Sequence, residues 1–156
     1  MKKFNFIIAV IAFWAISCSN SSNPNRLDSA NYDSKEERVE VLKKEIKPFS
    51  NFQDAEFELF NVNGFANSRA SLAGPSSWDY KFVIKVKPSD IEKWTNGMLK
   101  TEGTDYDQNQ MKKIISKRAD KWKTTSKPEF YTRQGDKVMM IVYRSEGILF
   151  KHIFTD

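Results

Sequence analysis

The 156-residue chain holds one cysteine, Cys18, and one histidine, His152, and that scarcity bounds its chemistry. A Cys/His nucleophile pair needs both groups in one site, and a zinc centre of the usual kind draws several ligands from these two residue types. His152 alternates with Ile148, Phe150 and Phe154 along one strand face, so it reads as a packed histidine, with no visible partner for general-base work. Glu102, Asp105 and Asp107 lie close together in a polar stretch. Their spacing is not that of an EF-hand loop and no second acidic cluster completes a site, so a solvated loop is expected there. No Walker-type phosphate loop occurs. The expectation is therefore a protein with no catalytic residue, no metal and no cofactor.

Side chains suited to binding are more abundant. Lys112, Lys113, Lys117, Arg118, Lys121, Lys123 and Lys127 form a basic run opposed only by Asp120, and such a local field attracts acidic surfaces or anionic headgroups. A charged outer helix face is the ordinary reading of the same pattern. The segment Asn63 to Ser77, which carries Arg69, is long for a connection between two strands; loops of that kind are either functional or mobile. Lys81, Lys85 and Lys87 alternate with apolar residues in the next segment. The candidate ligand-binding residues are accordingly Arg69, Lys81, Lys85, Lys113, Lys117 and Lys121.

The first 18 residues set the address. Lys2 and Lys3 precede an apolar stretch from Phe4 to Ile16, interrupted by Asn5, and then come Ser17 and Cys18. A positive start, a short apolar region and small residues at a cut site describe an export leader, and the stretch falls short of the roughly 20 apolar residues that span a bilayer. With the cysteine at its end and the polar run from Ser19 to Asn25 behind it, this segment resembles the precursor of a bacterial lipoprotein. Ile16 and Ser17 fit the lipobox pattern; Ala15 stands where Leu is usual. The resemblance covers residues 1–18 only. It implies removal of residues 1–17, lipid attachment to the Cys18 thiol with acylation of the new amino terminus, and, from Ser19, sorting to the outer membrane, facing the periplasm. Export also makes nucleic acid an improbable partner, and a lipidated Cys18 would leave no thiol for disulfides.

The elements that must position these residues follow from periodicity. Residues 18–33 show neither a two-residue nor a 3.6-residue repeat and read as lipidated cysteine plus flexible tether, with one domain over 34–156. The aromatic content of 13% argues against disorder. Ser34 and Glu37 have capping-box spacing ahead of Val39, Leu42, Ile46 and Phe49, which predicts a first helix ended by Pro48. A second is expected from Ser89, with Ile91, Trp94 and Met98 on one face, and a third from Gln110 to Trp122. Strands are expected at Glu56–Val62, Trp78–Lys87, Glu129–Arg133, Lys137–Arg144 and Ile148–Phe154. In Trp78–Lys87 the apolar residues face inward and mainly charged ones face water, whereas Val138–Tyr143 is apolar on both faces and reads as central. The sum is an α+β fold: four or five mainly antiparallel strands with about three helices packed on one face.

These features point to a membrane-anchored envelope protein acting as a non-catalytic binding module for a protein or anionic envelope ligand. An inhibitor or immunity protein against a toxin or hydrolase satisfies the same constraints. A small envelope hydrolase would instead require a concave pocket where Arg69 or His152 meets a carboxylate.

Overall fold

The computed structural model describes residues 23–65, 77–103 and 105–155, for Asp105 and Tyr106 the backbone alone. Cys18, the leader and Arg69 lie outside the described residues, as does most of the 63–77 loop. The fold is α+β: a seven-stranded antiparallel sheet in the order β1-β2-β3-β7-β6-β5-β4. Its strands are β1 (Arg26–Asp28), β2 (Phe52–Asn61), β3 (Trp78–Val86), β4 (Leu99–Thr101), β5 (Glu129–Thr132), β6 (Val138–Tyr143) and β7 (Ile148–Phe154), with helices α1 (Lys35–Glu45), α2 (Ile91–Thr95) and α3 (Asp105–Ile115).

Two of the seven strands, β1 and β4, escape the periodicity argument. Each is three residues long and lies at a sheet edge, too short to complete an alternation. β1 also corrects the tether: Arg26, Leu27 and Asp28 pair with Phe60, Leu59 and Glu58, and Asn25 Nδ2 donates to the Val62 carbonyl at 3.0 Å. Residues 25–28 thus belong to the sheet and not to a tether.

The helices pack on both faces of the sheet, not on one. Val39 and Leu42 of α1 and Ile91 and Trp94 of α2 join Phe57, Phe82, Ile84, Met140, Val142 and Leu149 on the first face. Met111, Ile114 and Ile115 of α3, followed by Trp122, cover Val83, Ile141, Tyr143, Ile148 and Phe150 on the second. That division explains why β6 is apolar throughout: it lies between β5 and β7 and is buried on both sides. It also corrects the wet face expected for β3, since Val83 between Lys81 and Lys85 is fully buried.

Capping chemistry fixes α1: Ser34 Oγ accepts from the Glu37 amide and the Glu37 carboxylate accepts from the Ser34 amide. The chain leaves α1 at Ile46, so Phe49 falls outside the helical stripe and is exposed. The third helix runs from Asp105 to Ile115 and gives way to a 3-10 segment, Ser116–Lys121, broken at Arg118 (φ −135°, ψ 37°). The break lets Arg118 turn inward to Glu56, at 2.9 and 3.1 Å, and to the Tyr32 carbonyl at 2.6 Å. Glu56 is almost wholly buried; it also accepts from Ser29 Oγ at 2.6 Å and faces Arg38 Nε at 3.4 Å. Arg38 in turn pairs with Asp54 at 2.8 Å and donates to the Ala55 carbonyl. This network binds the 29–38 segment and the 3-10 segment to β2.

The turn between β6 and β7 requires glycine. Gly147 has φ +66°, and a Cβ there would run into the Val86 carbonyl, which lies against it because the Val86 amide donates to the Gly147 carbonyl at 2.8 Å.

Candidate functional site

Alternation along β3 places Asp79 and Lys81 on the second face, just beyond the region sealed by α3. Across the ladders Asp79 stands opposite Phe60 of β2 and Phe154 of β7, and Lys81 stands opposite Glu58 and His152. β1 contributes Arg26 opposite Phe60 and Asp28 opposite Glu58. Lys113, on the exposed side of α3, closes the other wall. Together, His152 and Phe154 excepted, they line a half-open cavity of about 150 Å³ whose apolar members are Leu27, Leu59 and Phe60. Three basic groups (Arg26, Lys81, Lys113) and three acidic ones (Asp28, Glu58, Asp79) come from four separate elements.

Asp79 is the hub. One carboxylate oxygen meets His152 Nε2 at 2.7 Å and the other pairs with Lys81 Nζ. Burial pushes the Asp79 carboxyl upward, but hydrogen bonds from Lys81 and His152 and their charges outweigh it, and the group titrates below its ordinary value. For His152 burial is the largest influence and lowers its pKa from 6.5; the hydrogen bond and charge of Asp79 oppose this without cancelling it. The imidazole is therefore neutral at pH 7 and donates through Nε2–H to the carboxylate, while its ring lies against Phe154, 4.8 Å between centroids. This is a polarised His–Asp pair beside a cavity. Among the described residues, those lining that cavity include no hydroxyl or thiol, and no three His, Cys, Asp or Glu side chains converge on a metal position.

Of the residues expected to bind, the fold brings Lys81 and Lys113 together and separates the rest. Lys85 is two alternations further along β3, opposite Ile148, and outside the cavity. Lys117 donates to the Ala30 carbonyl, a contact that fastens the 3-10 segment to the N-terminal region. Lys121 points to solvent beside Asp120, 3.3 Å away. The three candidate lysines of the basic run therefore make three different sets of contacts. Arg26, Asp28, Glu58 and Asp79 are absent from the expected set. The alternation of β3 places Asp79 on the face of Lys81, but the pairing that adds β1 and β2 is long-range. His152, expected to be a packed histidine without a partner, is indeed packed but has one in Asp79.

A second unusual basic group lies on the first face. Lys151 of β7 is only 4% exposed, with its ammonium 5.0 Å from the Phe49 ring centroid and 6.0 Å from that of Trp94. Burial, reinforced by the nearby positive charge of Arg133, lowers its pKa to about 8.

No family model, curated protein or solved structure matches the chain.

Proposed function

We propose that the chain is a lipid-anchored protein of the bacterial envelope, held at the outer membrane through Cys18 and facing the periplasm, and that its domain is a non-catalytic binding module. The observation that carries the binding reading is the cleft lining: six groups of both charge signs converge from β1, β2, β3 and α3. Such a lining matches a ligand that presents acidic and basic groups together, as a protein surface does, better than a lone anion. Anchoring rests on the leader and Cys18.

Two experiments test the parts separately. Intact mass of membrane-extracted protein should show loss of residues 1–17 and a lipid adduct, and Cys18→Ala should abolish the adduct; an unmodified thiol on processed protein removes the anchor. For binding, the membrane-extracted protein should retain an envelope component that the Lys81→Glu/Lys113→Glu variant does not retain. Equal retention by both proteins removes the cleft from the interaction.

The His152–Asp79 pair favours a second reading, a small envelope hydrolase, because a neutral imidazole oriented by a carboxylate can take a proton from a bound water or substrate. On that reading Asp79→Asn should abolish turnover of an envelope-derived ester or amide. The convergence of six charged groups of both signs on the cavity makes binding the stronger reading.

A further inference from the structure

We infer that one end of the sheet, formed by the start of β1, the end of β2, the start of β3 and the end of β7, rests on the lipid surface as an interfacial contact. The inference rests on the proposed lipid at Cys18 and deepens it by assigning the membrane-facing side of the domain. Five residue steps separate Cys18 from Asn23, where the described chain begins, and a fully extended chain covers about 17 Å in that number. From Asn23 onward the chain is fastened to this end of the fold. The Arg26 amide donates to the Asn23 carbonyl, the Phe65 amide to the Pro24 carbonyl and the Asn61 amide to the Asn25 carbonyl, at 2.9–3.0 Å. A lipid on Cys18 therefore brings this end of the fold within reach of the bilayer.

The side chains at this end suit that location. Four large hydrophobic residues are exposed among the described ones, and three of them lie here: Val62 (40% exposed), Leu99 (58%) and Phe154 (37%). Their places are fixed by the ladders. Val62 follows the last residue of β2, Phe154 ends β7 opposite Asp79, and Leu99 opens β4 opposite Thr132. Phe154 and Leu99 are joined to the same end through β6, whose start lies opposite Ile153 and whose hairpin partner β5 ends at Thr132. Trp78, half-buried, stands edge-on to Tyr80 with centroids 5.3 Å apart, and Trp and Tyr are the side chains that favour the headgroup level. Arg26 lies over Phe60 and Lys137 over Phe154, 5.9 and 5.7 Å from the ring centroids, so positive charge accompanies the apolar groups; Arg133 is there too, beside Asp136. Cations interleaved with exposed aromatic and aliphatic side chains are what an anionic lipid surface binds. A protein partner covering the same patch is the competing occupant, but nothing in the path of the chain brings one there.

The test uses membrane-extracted protein reconstituted in vesicles of phosphatidylethanolamine and phosphatidylglycerol whose acyl chains carry bromine, a short-range quencher of tryptophan fluorescence. Trp94 and Trp122 are buried, and the difference between wild type and Trp78→Phe isolates Trp78. Trp78 should be quenched, and Val62→Ser/Phe154→Ser should reduce that quenching without changing the adduct mass. A lipid adduct on Cys18 with Trp78 unquenched overturns the contact while the anchor stands. Without an adduct, Trp78 quenching on adding the protein to the vesicles keeps the contact and removes the anchor, and an unquenched Trp78 removes both.

Discussion

Replacing Lys151 by Met should stabilise the protein, and by an amount that depends on pH. Lys151 loses its proton near pH 8 in the folded chain against 10.5 ordinarily, because its ammonium is buried and Arg133 repels it. A difference of about 2.5 pH units corresponds to roughly 3 kcal/mol of unfavourable free energy for keeping the folded side chain charged at neutral pH. The ammonium regains part of this from the Phe49 and Trp94 rings, about 1 kcal/mol for a partly desolvated cation–π contact. Methionine removes the charge, has similar length and keeps favourable sulfur–aromatic contacts. The net expectation at pH 7 is a gain of about 2 kcal/mol. The sign with pH follows from proton counting. Between about 8 and 10.5 the unfolded chain binds the proton that the folded chain has released, so wild-type stability rises with pH there, by up to about 1.4 kcal/mol per unit. Below pH 8 this group contributes no slope and its full penalty. The advantage of Lys151→Met should therefore be constant from pH 6 to 7.5 and shrink through pH 8–10. Urea unfolding of both proteins across that range measures it. A loss of stability on substitution, or an advantage that does not shrink above pH 8, would show that Lys151 is stabilised by a partner, not penalised by burial.

Other outcomes follow from the same contacts. Asp79→Asn should move the titration of His152 to still lower pH, because the carboxylate is what raises it against burial; NMR of the single imidazole reads this directly, and an upward shift would remove Asp79 as its partner. Arg118→Ala should cost about 3 kcal/mol by leaving Glu56 buried with less of its counter-charge, whereas Glu56→Leu/Arg118→Met should cost less; thermal unfolding compares them. Gly147→Ala should lower stability by at least about 2 kcal/mol, since it adds a left-handed backbone conformation to a collision with the Val86 carbonyl. Near-neutral behaviour would mean that the β6–β7 turn can relax.

Legibility in the sequence tracks the distance over which each interaction is made. The β3, β6 and β7 strands are readable because alternation or unbroken apolarity runs through six or more residues, and the Ser34 cap because its partner is three residues away. The short edge strands carry no local pattern and exist only because β2 and β5 offer them free ladder groups. The two-sided core also has a local trace that is easy to misread: Val83 sits at an outward position among Lys81 and Lys85, and a lone valine there marks the face that α3 covers. Arg118 is similar. In the sequence it interrupts an apolar helix stripe; in the fold it is the residue for which the helix breaks, because Glu56, 62 positions earlier, needs a counter-charge. The cleft was half legible, through Lys81 and Lys113, since both belong to elements that periodicity identifies, while Arg26 and Asp28 belong to the strand that periodicity misses.

The cleft and the end of the sheet proposed to face the membrane share a border, and on that proposal the border constrains any ligand. Phe60 and Asp79 line the cavity and are the immediate neighbours of Asn61 and Trp78, the last ladder pair before the 63–77 loop. Arg26 belongs to both, lining the cavity while its guanidinium lies over Phe60. With Cys18 lipidated, the cleft therefore lies along the side of the domain with its Arg26 and Asp79 end toward the lipid and its Asp28 and Glu58 end away. A ligand bridging Lys81 and Lys113 would approach from the side, parallel to the membrane, and a large rigid one would meet the headgroups before it was seated. Substitutions at Lys81 and Lys113 should consequently weaken capture equally for anchored and detergent-released protein. Val62→Ser should change capture only when the protein is anchored, because only then does the tilt of the domain on the lipid decide how much of the cleft is open.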